Sequence, residues 1–124
     1  MTIQEAISGA DELNPNTIDE GLKIKWLNDI ESTIYIEIVL PREGSELVQK
    51  PNFSIDSDYS HKLIASAPYD RLYVEYILSK IDFTNREFDS YNNTANQFNQ
   101  SYKEFAAYYN RNHMHKETKL KNYM

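Results

Sequence analysis

The sequence predicts an all-α fold, a small antiparallel helical bundle of about four helices with a long irregular segment at about residues 41–68. Apolar residues recur every three or four positions over most of the chain, which is the spacing of one helix face. Two of these stretches follow residue pairs that are typical of helix starts. One segment punctuated by prolines interrupts the pattern.

The first helix is predicted from a capping box at Thr2 and Glu5, whose side chains are spaced to accept hydrogen bonds from first-turn amides. Its apolar stripe consists of Ile3, Ala6, Ile7 and Ala10. The residue before a proline disfavours helical angles, so the helix is expected to end near Asn14-Pro15.

A second capping box, Thr17 and Glu20, predicts a long second helix that ends at roughly Val39. Its apolar positions are Ile18, Leu22, Trp26, Leu27, Ile30 and Ile34. Residues 33–39 are rich in β-branched side chains that alternate, so a strand is the alternative there. We favour the helix, because the spacing from Ile34 onward also continues the helical period.

Residues 41–68 lack a helical period and contain Pro41, Gly44, Pro51 and Pro68. The segment is longer than an ordinary connection in a small domain, which predicts that it is functional or partly structured. Its apolar residues need something to cover them, and we expect a neighbouring subunit to do so. These interface candidates are Leu47, Val48, Phe53 and Ile55.

The helical period returns after Pro68 and continues to about Asn110, with a break predicted among the weak helix formers at residues 82–86. The last helix carries an aromatic seam at heptad spacing: Phe88, Tyr91, Ala95, Phe98, Tyr102, Phe105 and Tyr109. The predicted core consists of Leu22, Trp26, Ile30, Ile77, Ile81, Phe98, Tyr102 and Phe105. Replacing Phe98 with alanine is expected to cost ~3–5 kcal/mol.

Residues 1–110 are predicted to form one helical domain and residues 111–124 a basic tail. The tail's basic residues are Arg111, Lys116, Lys119 and Lys121, set against Glu117. Such a tail is ordinarily a solvated end. The alternative is a docking segment that is loose in the free subunit and orders on an acidic partner, with Tyr123 among its apolar anchors.

Composition excludes several classes of protein. The chain has 124 residues and a net charge of −6, so its surface should repel nucleic-acid phosphates. It contains no cysteine and therefore no disulfide or thiolate metal site. No apolar run approaches the ~18–20 residues that cross a bilayer, and the first residues lack the basic start of a signal peptide. We therefore expect neither secretion by that route nor a membrane partner.

Catalytic and metal motifs are incomplete. Asp56 and Asp58 have the spacing that begins a calcium loop, but the later glycine and glutamate are missing. His113 and His115 have no third ligand nearby, and the scattered glycines form no phosphate-binding loop. A nucleophile–base pair would require His61 beside a serine, which no spacing supports. We expect no enzyme activity, no cofactor and no metal.

Neutral amides flank the aromatic seam. One stripe consists of Asn92, Asn96, Asn99 and Lys103, and the other of Asn93, Gln97, Gln100 and Glu104. Asparagine is a poor helix former, whereas an amide both donates and accepts hydrogen bonds without the desolvation cost of a charge. The stripes therefore indicate a protein–protein contact, with a merely solvated polar face as the alternative.

Several stretches together resemble small helical proteins encoded in the head–tail gene clusters of tailed phages and prophages of Firmicutes-type bacteria. They are Ala10–Asn16, Lys23–Leu27, Ala67–Asp70 with Leu72–Tyr73, Tyr91–Asn93 and Phe98–Met114. That family is similar to the head–tail connectors, or adaptors, which form a ring beneath the portal. The resemblance covers nearly the whole chain and is weakest in residues 41–66.

The resemblance implies an all-α subunit of a closed, dodecameric ring in the neck of the virion, assembled in the host cytoplasm. It implies three protein partners: further copies of the chain, the portal protein, and an adjacent tail or head-completion protein. DNA would pass through the lumen only transiently. The alternatives are a small acidic helical regulatory protein that binds a phage or host protein, and a capsid-associated or tail-completion protein.

Overall fold

The computed structural model describes residues 1–116 and has the predicted all-α architecture. Two short helical turns accompany the four α-helices, a π turn at Tyr35–Val39 and a 3-10 turn at Ser45–Leu47. Within residues 1–116, β pairing is limited to two isolated antiparallel bridges. The helices are α1 (Ile3–Leu13), α2 (Glu20–Ile34), α3 (Arg71–Thr84) and α4 (Phe88–Asn112).

The first predicted helix start is confirmed and the second is wrong. The Glu5 N–H donates to Thr2 Oγ1 at 3.1 Å, and the Thr2 N–H donates to Glu5 Oε1 at 3.0 Å. At the start of α2, Asp19 is the cap and its Oδ2 accepts the Gly21 N–H at 3.0 Å. A carboxylate at this position also interacts favourably with the positive end of the helix dipole, which the Thr17 hydroxyl cannot do.

Residues 33–39 are helical, as favoured, and the strand alternative is wrong. The chain continues from α2 into the π turn, in which the Leu40 N–H donates to the Tyr35 carbonyl at 2.9 Å. The extra residue in this turn keeps Ile38 and Val39 buried, while Ile36 is left 60% exposed. Burial of two of these side chains in the bundle therefore decides the conformation over their β propensity.

Helices α3 and α4 form an antiparallel hairpin around a three-residue turn, which lies in the predicted break. In this turn Arg86 adopts a left-handed conformation with φ of 59°. The aromatic seam of α4 packs along α3 and the residues just before it, as the ring pairs show. Their centroids are 5.3 Å apart for Tyr91 and Phe83, 5.0 Å for Phe98 and Tyr76, and 6.2 Å for Phe105 and Tyr69.

The core differs from the predicted one in three positions. Trp26, Ile30, Ile77, Ile81 and Phe105 are buried, as predicted. Leu22 is 37% exposed, so its assignment to the core is wrong. Lys23 and Ile24 in the same turn of α2 are buried, so Leu22 lies at the edge of the buried face. Phe98 and Tyr102 pack on the core but are only partly buried.

The seam is buried only at its carboxyl-terminal end. Phe88 is 54% exposed, whereas Phe105 and Tyr109 are 1% and 8% exposed. The difference arises because the π turn after α2 lies beside the distal half of α4, where the Tyr102 hydroxyl donates to Glu37. The beginning of α4 packs on α3 alone.

Residues 41–68 are folded against the start of α1. The N–H groups of Ile3 and Gln4 donate to the carbonyls of His61 and Tyr59 at 3.1 and 3.0 Å. The Leu63 N–H in turn donates to the Met1 carbonyl at 2.9 Å. First-turn amides of a helix have no partner within the helix, so this segment satisfies donors that would otherwise need water.

The bundle has two distinct ends. At the turn end, α1 finishes beside the α3–α4 turn, and the Asn14 amide donates to Asp82 at 3.2 Å. At the loop end, α4 finishes beside residues 41–43, where Arg42 and His115 form an antiparallel bridge. The expectation that the tail is loose in the free subunit is therefore wrong for residues 113–116.

Candidate functional site

The outer face of α4 carries a continuous surface of neutral amides, which we call the amide face. Between Ser90 and Lys103 the only charged side chain is that of Lys103 itself. The six amides are all exposed, and they are Asn92, Asn93, Asn96, Gln97, Asn99 and Gln100. The sequence-predicted interface candidates on this helix therefore lie together on one accessible surface.

A groove of about 480 Å³ separates the amide face from α3. Its wall is fixed by Arg71, whose guanidinium donates to Ser101 Oγ at 3.2 Å and to Glu104 Oε2 at 2.7 Å. The Ser101 hydroxyl donates onward to Glu75 at 2.5 Å. Partial burial raises the pKa of this glutamate. The charged groups that line the groove therefore already have partners.

Sequence reasoning missed Arg71, Glu75 and Ser101. Ser101 is 3% exposed although serine normally faces water. The signal that could have found it is its position next to the aromatic seam, where α4 faces α3. The groove therefore adds a specific shape to a surface that the sequence described only by its amides.

The apolar candidates in residues 41–68 divide into two pairs. Val48 and Phe53 pack on the core of their own subunit, so the expectation that a neighbour covers them is wrong. The Phe53 N–H donates to the Asn28 side chain at 2.8 Å and its ring lies edge-on to His61 at 5.4 Å. Leu47 and Ile55 are 86% and 57% exposed, so these two remain available for a contact.

A buried glutamate anchors the end of this segment. Glu31 is 1% exposed, and its carboxylate accepts the Ile64 N–H at 2.8 Å and the Tyr73 hydroxyl at 2.5 Å. The same hydroxyl accepts the Ala65 N–H at 2.8 Å. Burial raises the pKa of Glu31 to about 7, against the opposing effect of these hydrogen bonds. The network joins α2, α3 and residues 64–65, and no sequence motif predicted it.

A cavity of about 170 Å³ lies beside Glu31, with Ser57, Asp58 and His61 among its lining residues. Each of these three side chains contacts a residue of the same segment. Ser57 Oγ accepts the Ser54 N–H at 2.8 Å, Asp58 accepts from Ser60, and the His61 ring packs on Phe53. The hydrogen bonds from Ser60 lower the pKa of Asp58, which caps a turn.

The histidines near the carboxyl terminus have separate local roles. His113 stacks on Tyr109 with centroids 3.8 Å apart, and its Nδ1 lies 3.0 Å from the Tyr109 carbonyl oxygen. His115 Nδ1 lies 2.9 Å from the Lys116 carbonyl oxygen. Within residues 1–116, no group of three or more histidine, cysteine, aspartate or glutamate side chains is placed to hold a metal ion.

The tail candidates fall partly within the described residues. Arg111 is exposed on the last turn of α4. The Lys116 N–H donates to the Pro41 carbonyl at 2.9 Å, and the Glu43 N–H donates to the Met114 carbonyl at 2.8 Å. Lys119, Lys121 and Tyr123 lie outside the described residues.

Comparison with protein-family models, curated proteins and solved structures finds no match to this chain. Among the residues that the structure describes, no helix combines the length and the apolar character needed to cross a membrane.

Proposed function

We propose that this protein is a structural virion protein, a head–tail connector subunit that assembles into a ring between the portal and the tail. The observation that carries the proposal is the amide face. A solvated helix surface usually carries Lys, Glu and Arg, whereas this long exposed surface has six amides and one charge. Asparagine is also a poorer helix former than those charged residues. Such a surface suits a contact in which every polar group must find a partner and a buried charge would be costly. The family resemblance supplies the kind of assembly.

A ring requires a heterologous interface, in which one surface of each subunit contacts a different surface of the next. The subunit offers two such surfaces. One is the amide face with its groove, and the other is the exposed part of residues 41–68, marked by Leu47 and Ile55. The hydrogen bonds of Glu31 and of the α1 start hold this second surface in a defined shape.

The overall charge supports a place around a DNA channel. A net charge of −6 disfavours retention of the DNA that passes through the lumen. The family resemblance implies that this ring lies in the virion neck, after assembly in the host cytoplasm. Its protein partners would be other copies of the chain, the portal protein and an adjacent tail or head-completion protein.

Assembly provides the direct test. We expect Gln97→Glu to weaken ring formation at least tenfold in subunit concentration, because each contact would bury an added charge, and tenfold corresponds to about 1.4 kcal/mol. Mass photometry over a dilution series would measure the change. Gln4→Glu is the matched control, since it makes the same chemical change on an exposed position of α1.

Equal assembly of the two variants would contradict a role for the amide face. A wild-type protein that stays monomeric or dimeric with purified portal protein would favour the small regulatory protein instead. Icosahedral copy numbers in virions would favour a capsid-associated protein.

The proposed role is assembly without catalysis. We expect purified protein to release no phosphate from nucleoside triphosphates and to leave single- and double-stranded DNA intact. Any activity that survives repurification and disappears in His61→Ala would overturn this part of the proposal, because His61 is the histidine that lines the cavity beside Glu31.

Removing residues 117–124 tests the tail while preserving the pairing of residues 113–116 with residues 41–43. We expect the truncated protein to fold with an unchanged thermal midpoint but to join heads to tails poorly in a complementation assay. Normal joining, with unchanged dependence on salt concentration, would identify the tail as a solvated end.

A further inference from the structure

An amphipathic notch lies at the turn end of the bundle, between the end of α1 and the start of α4. Its volume is about 430 Å³. Leu13 and Leu78 form its apolar wall, and Leu13 is 71% exposed. The remaining lining residues are polar, namely Asn14, Asp82, Glu87, Ser90 and Thr94.

Exposed aromatic rings also lie at this end of the bundle. Phe83 and Phe88 are 55% and 54% exposed, and their centroids are 6.1 Å apart in an edge-to-face arrangement. Tyr91 packs edge-on to Phe83 at 5.3 Å. Exposed apolar side chains scattered singly are ordinary, but a cluster of them is typical of a contact surface.

The notch is acidic. Asp82 and Glu87 are its two charged lining residues. Asp82 is 2% exposed and accepts hydrogen bonds from Asn14, Ser90 and Thr94, so it fixes the shape of the floor. Glu87 is exposed and is available to a basic partner. The site therefore fits a short segment that carries both apolar and basic side chains.

We propose that this notch binds the carboxyl-terminal residues 117–124 of a second copy of the chain. The inference deepens the proposed ring and rests on it. Residues 119–123 read Lys-Leu-Lys-Asn-Tyr, so they provide two basic groups for Glu87 and two apolar side chains for the leucine wall. Complementary charge and apolar character thus meet on surfaces of the same protein.

The segment reaches the notch only from another subunit. Lys116 is held at the loop end by Pro41. From Ser90 to Asn112, α4 rises ~1.5 Å per residue, or about 33 Å in all. Even fully extended at ~3.5 Å per residue, the chain from Lys116 reaches Leu120 within about 14 Å and Tyr123 within about 25 Å. The contact therefore joins two subunits, and when it repeats in one direction it is head-to-tail, the kind that closes into a ring.

Cysteine cross-linking tests the contact directly, because the chain contains no cysteine. One preparation carries Leu13→Cys and another Leu120→Cys, and the two are mixed under mild oxidation. We expect the mixed disulfide dimer to form at least tenfold faster than in a mixture of Ile55→Cys with Leu120→Cys. Ile55 is the control because it is similarly exposed but lies in residues 41–68.

Reversing the charge of Glu87 provides a second test of the contact. Adding Glu87→Lys to the Leu13→Cys protein should slow this cross-link at least tenfold, and adding Lys119→Glu and Lys121→Glu to the other protein should restore it. Cross-linking that is no faster than the control would overturn the inference.

The cross-link and the proposed function can fail separately. Rings that form without a selective Leu13–Leu120 cross-link would contradict the contact but not the connector proposal. A selective cross-link in a protein that forms no ring and does not bind portal protein would establish the contact and contradict the proposed connector function.

Discussion

Replacing Phe105 with alanine is expected to lower the free energy of unfolding by ~3–5 kcal/mol, a large part of the stability of a small domain. The Phe105 ring is 1% exposed and packs against Tyr69 and Tyr109. Truncation would leave a cavity that these rings cannot fill. Chemical denaturation followed by circular dichroism would measure the loss.

Two other phenylalanines on α4 provide matched controls. Phe98 is partly buried, so Phe98→Ala should cost less than the ~3–5 kcal/mol that its place in the seam suggested. Phe88 is 54% exposed, and Phe88→Ala should cost least. Equal losses in the three variants would mean that the seam is uniformly buried and that α4 packs differently.

The stability of the protein is expected to fall as the pH rises from 4.5 to about 7, because Glu31 keeps its proton in the folded state over that interval. A group whose pKa is raised by folding binds more protons in the native state than in the unfolded one, so raising the pH favours unfolding. At 1.36 kcal/mol per pKa unit the loss from this residue is about 3 kcal/mol.

Glu31→Gln isolates this contribution. A glutamine oxygen can accept the Ile64 N–H, and its amide can donate to the Tyr73 hydroxyl, which then accepts both this bond and the Ala65 N–H. The variant should therefore gain about 3 kcal/mol relative to the wild type between pH 4.5 and pH 8. If the difference in unfolding free energy between the variant and the wild type is the same at every pH, Glu31 ionises at its ordinary pKa.

Measurement at both ends of the pH range separates this effect from damage to the fold. Disruption of the network by the glutamine would add the same destabilisation at every pH. A pH-dependent difference requires that the carboxyl itself titrates. The two phenylalanine controls on α4, which touch no titrating group of this network, should show the wild-type pH dependence.

Local sequence determined where most helices begin and end. Thr2 and Glu5 are three residues apart and complete their capping box without help from the rest of the chain. Pro15 follows the end of α1, and the weak helix formers near Arg86 coincide with the turn before α4. These signals act over one helical turn, so the sequence alone exposes them. The amide face was also readable, because its residues share one helix surface.

Only the tertiary structure decided which parts of those helices are buried. Glu31, Lys23 and Asp82 are each less than 5% exposed, although their side chains normally face water. Glu31 is tolerated because Tyr73 lies 42 residues away in sequence and donates to it, and Lys23 because Asp11 lies 2.8 Å from its ammonium group. A buried ionisable side chain requires such partners, and periodicity carries no information about them.

Long-range packing also explains why only part of the aromatic seam is buried and why the two ends of the bundle differ. Heptad spacing placed Phe88 and Phe105 on one face of α4, but the π turn after α2 lies beside only the distal half of that face. The notch at the turn end likewise depends on Asn14 meeting Asp82 across 68 residues. The sequence by itself determined which surfaces each helix has. Long-range packing determined which are covered and which are left for a partner, because burial depends on the neighbours that the fold brings together.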